Sequence, residues 1–418
     1  MRNIKLSLQT NQAELLVLLY FFLQPWGNTF LIPLVIMSAL GGLMVMKWGR
    51  LNAEDKTVIK KIFLLAACLW LPIIISLPDA IAFKRTLSTT LTYPLYILSG
   101  LYLAVSFSRN FNRSLFLKIL IPMMITWGVT SILQFFSLVN WFGSIDDTGG
   151  RAHGLFSGNL MLGVLLGSLF PLVALLKKTK TDTASIFLFY FLILIILATG
   201  TRSAWLTTTL FICSYVYLFG KSIDIKKVVI HLSIGIFLAI LLIGNSGFNG
   251  RLSQSLNLLN LNSESVENAT GGRLSIWTDA INLGIQHPLN GVGANNFRYG
   301  QAEVAPTNSR WIWSSTTNKD GFTHIGAAHT HQIFLEAWSN TGFVGITGLL
   351  FFYFLLFKQL SAAWNKGNLV ALAALLGLLA AIFPLGSHNN FYGSWMIGWL
   401  WIWIGLSQGL FFNKTIKH

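Results

Sequence analysis

The chain has 418 residues, 54% of them hydrophobic and only 10% charged, with a mean hydropathy of +0.62. A water-soluble domain of this size carries about a quarter charged residues, so the composition excludes a soluble globule and selects a chain solvated mainly by lipid. The formal charge of +15 would suit a nucleic-acid partner if it were gathered on one surface. It is spread over short segments between apolar runs, and no nucleic acid is expected.

Apolar runs of roughly 17–25 residues recur from end to end, each long enough to cross about 30 Å of hydrocarbon as a helix. Backbone groups cannot be left unpaired in lipid, so the expected fold is all-α and polytopic. In chain order the runs predict helices near 13–27, 29–46, 62–82, 89–106, 116–138, 155–176, 184–200, 203–220, 228–244, 332–356, 367–386 and 391–412. "QPWGN" breaks the first two into a short hairpin. Cys68 and Cys213 lie inside apolar runs and read as small hydrophobes. The basic start "MRNIK" leads into a first helix with no small-residue cleavage site after it, so no cleavable signal is expected.

Charge sets the orientation. Of the 29 Lys and Arg, twenty fall in the termini and the loops 47–61, 107–118, 177–183, 221–227 and 358–366. Nine fall on the other side: Lys84, Arg85, Arg151, Arg202, Arg251, Arg273, Arg298, Arg310 and Lys319. Five of those nine belong to one long loop, and long loops follow the positive-inside rule poorly. Both termini are therefore expected in the cytoplasm, with twelve helices closing the count. The chain reads as one membrane domain, 1–418, containing one large extracytoplasmic loop, 245–328.

The polar residues worth singling out share that external face. "LATGTRSAWL" places Arg202 at a tight turn between two apolar segments, where an arginine either snorkels to headgroups or holds an anion beside exposed backbone N–H groups. "DDTGGRAHGLFSGN" puts Arg151 and His153 in a glycine-rich loop that could let backbone approach a bulky anion; a solvated connector is the plain alternative. Further on, Leu274, Trp277, Ile281 and Ile285 recur at helical spacing, predicting an amphipathic helix on the bilayer surface with Trp277 as interfacial anchor. Arg273 falls in its first turn, where the helix dipole disfavours a cation unless an anion is nearby.

"AAHTHQIFLEAWSNTGFVG" carries His329 and His331 at the mouth of an apolar run. His331 is expected to begin a helix that continues through Gly342 and Gly345, and both glycines then return to within about 40° of its direction, giving one face with a histidine at the mouth and small residues below. Glu336 would point away from His331 and is expected to be a buried, hydrogen-bonded acid. A His329–His331 metal pair finds no cysteine and no H-E-x-x-H helix in the external loop, so no metal is expected. External chemistry has no ATP to drive it, so the substrate must arrive activated. A lipid-linked diphosphate fits, because arginines can grip it and absorb the charge of a leaving group. A histidine, unperturbed near pKa 6.5, can take a proton from an attacking hydroxyl.

These residues resemble the O-antigen ligase and polymerase superfamily of bacterial inner-membrane proteins. Arg202 to Leu206 ("RSAWL") looks like the family's R-x-x-x-L element. His331 and Gln332, nine residues, then Gly342-Phe343-Val344-Gly345 resemble the ligase pattern H-[NSQ]-x9-G-x-x-G, with Ile346 where some versions continue with Ser or Thr. Arg273 and Trp277 with "HPLNGVGANNF" look like the loop signature of the wider superfamily. The resemblance implies a membrane-embedded fold similar to GT-C-type glycosyltransferases. It implies transfer of O-antigen polysaccharide from undecaprenyl diphosphate to a lipid A–core sugar hydroxyl, in lipopolysaccharide biosynthesis, without metal or cofactor and with inversion. In that scheme His331 is general base, Arg202 and Arg273 bind the diphosphate with Arg151 as a third, and His329, Glu336, Trp277, Gly342 and Gly345 support them. A polymerase or a protein O-oligosaccharyltransferase would use the same donor. A transporter would place its charges nearer the bilayer midplane.

Overall fold

The computed structural model describes residues 11–137, 149–156, 161–176, 183–219, 246–256, 270–314, 321–386 and 389–415, with isolated positions between 230 and 267. The helices are α1 (Gln12–Phe22), α2 (Leu31–Met46), α3 (Ala53–Ile75), α4 (Phe83–Arg109), α5 (Arg113–Phe135), α6 (Leu162–Leu176), α7 (Thr183–Ala198) and α8 (Arg202–Phe219). After them come α9 (Ser246–Leu256), α10 (Leu274–Gln286), α11 (Phe297–Val304), α12 (Ile333–Asn365), α13 (Leu369–Ala381) and α14 (Ser394–Phe412). Among the described residues six helices are long and apolar enough to cross a membrane, and α1, α6, α7 and α13 are shorter apolar helices. This is a polytopic, mainly helical membrane protein. The expected helix 228–244 lies outside the described residues but for isolated positions.

Polar caps extend several helices past their apolar runs. Asn52 Oδ1 accepts from the Asp55 N–H at 2.7 Å, so α3 begins at Ala53 and not near 62 as hydropathy alone suggested. Asn112 and Asn368 cap α5 and α13 in the same way. Glycine sets the closest packing. A Cβ at Gly100 of α4 would sit 2.7 Å from the Trp401 carbonyl of α14, and one at Gly405 would sit 2.5 Å from the Gly100 carbonyl. Where lipid is as apolar as leucine, such close backbone approach is what holds helices together.

The two ends of the bundle differ. At one end Arg109 grips the buried Asp55 with two N–H groups (3.0 and 2.7 Å), Glu14 accepts from the Asn112 N–H, and Asn413 donates to the Phe107 carbonyl. At the opposite end Trp395 donates to Gln24, while Ser76 and Thr86 bond the backbone at Ala294. The second end carries the loop between α9 and α12, with helices α10 and α11. It also carries a two-residue antiparallel pairing that the all-α expectation did not contain: β1 (Trp313–Ser314) beside β2 (His324–Ile325).

The sharpest departure lies in α12. Gly342 sits at φ +60°, ψ −153°, so the helix is two pieces, 333–341 and 343–365. A Cβ there would meet the Leu289 carbonyl at 2.5 Å, and the freed N–H groups of Phe343 and Val344 donate to the carbonyls of Pro288 and Leu289. The 288–293 loop wedges into the break, which only glycine permits.

Candidate functional site

His331 precedes α12 and is not its first residue. Its φ is +60°, uncommon for a residue with a Cβ, and the helix starts two residues later at Ile333. The turn is fixed from several sides. Gln332 caps α12 by accepting from the Leu335 N–H at 2.7 Å, and its Nε2 donates to the Pro384 carbonyl at 3.0 Å. The Thr330 N–H donates to Glu336 Oε2 at 2.7 Å, and the Thr330 carbonyl accepts from Trp277 Nε1 at 3.0 Å. The His329 and His331 rings lie 4.0 Å apart between centroids, tilted by 53°.

The common-face expectation for His331, Gly342 and Gly345 therefore fails. A left-handed residue before the helix and a break within it remove the 100° repeat that the reading assumed. Gly342 admits the 288–293 loop. Gly345 leaves room for the Thr341 side chain, whose hydroxyl meets the Tyr392 hydroxyl at 2.8 Å. The glycine that lets α12 approach α3 is Gly348, against the Cys68 carbonyl. Glu336 is the buried, hydrogen-bonded acid expected, and it holds the backbone beside His331.

The helix α10 forms where its spacing predicted. Leu274, Ile281 and Ile285 are exposed, as a bilayer-facing stripe requires, while Ile276, Ala280 and Leu283 pack inward. Trp277 departs from the expected interfacial anchor: it is half-buried and its indole points to the His331 turn. Asp279 on the inner face accepts from Gln301 Nε2 at 2.8 Å, and Gln301 Oε1 accepts from the Ala327 N–H at 2.7 Å. Burial pushes the Asp279 carboxyl above the usual range, and the bond from Gln301 pulls partly against it. This relay fixes the strand that leads to His329.

The arginines approach from the start of α10. Gly271 and Gly272 both adopt positive φ (69° and 78°), and a Cβ at Gly271 would sit 3.4 Å from Nη2 of Arg202. Arg202, the first residue of α8, thus lies against a loop only two residues from Arg273, which precedes α10 at its N-cap position. Glu267 braces this loop. Its Oε2 accepts from the Leu274 N–H at 3.0 Å and its Oε1 pairs with Arg310 at 3.0 Å. Trp311 closes the turn by donating to the Gly272 carbonyl. Arg151 stands next to the same region, because the Ala152 N–H donates to the carbonyl of Ala198 at the end of α7. Gln134 of α5 holds that loop through the His153 and Gly154 N–H groups.

Arg202 therefore approaches Gly271; Arg273 follows two residues on, and one turn later Trp277 bonds the Thr330 carbonyl beside His331. Residues far apart in the chain converge on one end of the bundle. Residues 187–350 match the family model described as O-antigen ligase, a stretch that contains Arg202, Arg273, Trp277, His329, His331, Gly342 and Gly345. The match makes this part of the chain similar to the O-antigen ligase family model. It is also 27% identical over 234 residues to the O-antigen ligase of Escherichia coli (strain K12), an alignment covering 55% of this chain and 52% of that protein. The chain thus spans about half the length of the curated relative it matches. Arg151 falls outside the ligase-family match, which sets it apart from the other two arginines.

Sequence reasoning missed residues that position the His331 turn and the loops around it. Gln332 was read only as part of the histidine pattern. Thr330 and the Asp279–Gln301 pair were passed over as ordinary polar residues. So was Asn340, whose Oδ1 accepts from the Asn296 and Phe297 N–H groups (2.8 and 3.0 Å). Gln332, placed three residues before Leu335 at the edge of an apolar run, carried a helix-start signal that could have moved His331 outside the helix.

Proposed function

We propose that the protein transfers O-antigen polysaccharide from undecaprenyl diphosphate to a sugar hydroxyl of lipid A–core at the periplasmic face of a bacterial inner membrane. The observation that carries this reading is the approach of Arg202 to the Gly271–Arg273 loop at the end of the bundle that holds His331. In this scheme Arg202 and Arg273 grip the diphosphate through guanidinium forks, with Arg151 as a third cation. The acceptor oxygen attacks the anomeric carbon as the bond from that carbon to the diphosphate oxygen breaks. His331 takes the acceptor's proton, and the arginines absorb the charge left on the departing diphosphate. A single displacement inverts the anomeric configuration. The reaction is proposed to need no metal.

The proposal includes twelve spans in one domain, both termini in the cytoplasm, and 245–328 as the periplasmic region. Reporter fusions at Lys178 and Lys226 should read cytoplasmic and a fusion at Asn308 external. The decisive experiment reconstitutes the protein with an undecaprenyl diphosphate-linked donor and purified lipid A–core, and follows the product on a gel with and without EDTA. Modified lipid A–core in both lanes is the expected result. A donor that only lengthens, with the core untouched, would make the protein a polymerase; the name of its relative weighs for ligation.

A further inference from the structure

Arg298 is an external-face arginine that the reaction scheme leaves unused. It is the second residue of α11, in a first turn where the helix dipole disfavours a cation unless an anion is nearby. The side chain is half-buried, and its Nε is buried with no hydrogen-bond partner among the described residues. No carboxylate among them pairs with it; the ion pairs there are Arg109–Asp55, Arg310–Glu267 and Lys414–Glu54. An unbonded N–H on a half-buried guanidinium is costly, and it points to an acceptor that a ligand brings. A second cation is held at the next residue. Arg85, in the first turn of α4, donates from Nη1 to the Tyr299 hydroxyl at 3.0 Å, and its guanidinium lies 5.7 Å over the Tyr299 ring. Phe322 stacks on the same tyrosine at 4.3 Å between centroids.

Packing places this group away from the diphosphate arginines. Leu283 of α10 lies against Gly300 of α11, Asp279 bonds Gln301, and Trp311, beyond α11, bonds the Gly272 carbonyl. The chain thus returns along α10, and the start of α11 lies toward the end of α10 that is far from Arg273. The segment leading to the histidines covers the same interval. At one end the Gly326 N–H donates to the Arg298 carbonyl, and at the other the Thr330 carbonyl accepts from Trp277. His331 follows Gly326 by five residues, at most about 17 Å of extended chain. The histidine turn therefore lies within reach of two cationic groups that approach it from different directions.

We infer that Arg298, with Arg85 beside it, forms a second anion site that takes a phosphate of the acceptor saccharide. This rests on the acceptor reading proposed above. The donor brings its diphosphate to Arg202 and Arg273, so an anion at Arg298 belongs to the other substrate, and lipid A–core is itself a phosphorylated saccharide. A guanidinium fork offers two parallel N–H bonds to a phosphate. Held there, a few sugar units from the reacting hydroxyl, the acceptor reaches His331 with its orientation set by contacts remote from the bond being formed.

The test uses the full chain in nanodiscs of phosphatidylethanolamine and phosphatidylglycerol, with two acceptors: purified lipid A–core, and the same material stripped of phosphate by hydrofluoric acid. The parent protein should show a KM about tenfold higher for the stripped acceptor, with kcat and the donor KM unchanged. Equal KM values would overturn the site without recourse to any variant. Arg298→Gln, whose folding is checked by thermal unfolding, should raise the KM for intact lipid A–core by about tenfold and leave that for the stripped acceptor as in the parent. Equal losses on both acceptors would make Arg298 a structural residue and refute the assignment. Repeating the pair in phosphatidylcholine alone should leave the difference intact; its disappearance would give the site to anionic bilayer headgroups and overturn the acceptor reading of it. Binding of lipid A–core that depends on Arg298, without transfer, would overturn the proposed function and leave the anion site standing. Transfer whose acceptor KM ignores both Arg298 and phosphate would do the reverse.

Discussion

Arg202 and His331 both stand where the chain enters a helix at the same end of the bundle, yet they are held differently. Arg202 is the first residue of α8 and reaches across to a glycine loop that is itself braced by Glu267 and Trp311. His331 has a left-handed backbone, and the residues on either side of it are bonded to Trp277, Glu336, Leu335 and Pro384. The contrast fits the two jobs proposed. A diphosphate offers several oxygens, so a long guanidinium arm tolerates small shifts. A proton acceptor must meet one hydroxyl in one direction, and its neighbours are fixed accordingly.

Removing the histidine should break the comparison most severely. His331→Ala should lower transfer by roughly 10²–10⁴-fold, the scale of a positioned base, while donor binding in a filter assay persists. Loss of donor binding of similar size would instead make His331 part of the anion grip. The arginines come next. Arg202→Lys and Arg273→Lys should each lower transfer by about tenfold or more, because an ammonium cannot reproduce the fork, and Arg151→Lys should cost less. If Arg151→Lys is the worst of the three in a matched gel assay, the grouping of Arg202 with Arg273 is wrong.

Much of this was legible in the sequence, and the reasons differ by residue. Hydropathy located the apolar helices because lipid demands continuous runs, and α10 followed from a strict repeat of Leu274, Ile281 and Ile285. The His331 turn was misread because a period assumes an unbroken helix. The Gly342 break depends on the 288–293 loop arriving from some 50 residues upstream, and nothing local to "SNTGFVG" announces it. Trp277 was assigned to lipid since its periodicity is shared with outward residues, and only its bond to Thr330 shows it turned inward.

Smaller perturbations sharpen the contrast. Glu336→Leu should remove the acceptor for the Thr330 N–H and lower turnover with little change in the donor KM, whereas Glu336→Gln retains an acceptor and should keep most of the activity. Gly342→Ala should destabilise the protein by about 1–3 kcal/mol, read as a lower thermal midpoint, because a Cβ meets both an unfavourable φ and the Leu289 carbonyl. The least effect concerns Asp279. Its carboxyl titrates higher in the folded protein than in the unfolded chain, so the folded state binds more protons between the two values. Stability from this group is full below about pH 3.9 and falls as pH rises through the raised value. Thermal midpoints of Asp279→Asn should show a shallower decline over that window than the parent; identical slopes would remove Asp279 from the account.

The break at Gly342 also divides the chain mechanically. The piece 333–341, with Glu336 and Asn340, belongs to the loop assembly that it is bonded to, while 343–365 belongs to the bundle. Torsion in one piece reaches the other through the bonds of the 288–293 loop and not along a continuous helical rod. The 288–293 loop bridges the break, accepting from the Phe343 and Val344 N–H groups and donating to the Ser339 and Asn340 carbonyls, so a change of tilt in the membrane half loads that loop before it reaches His331.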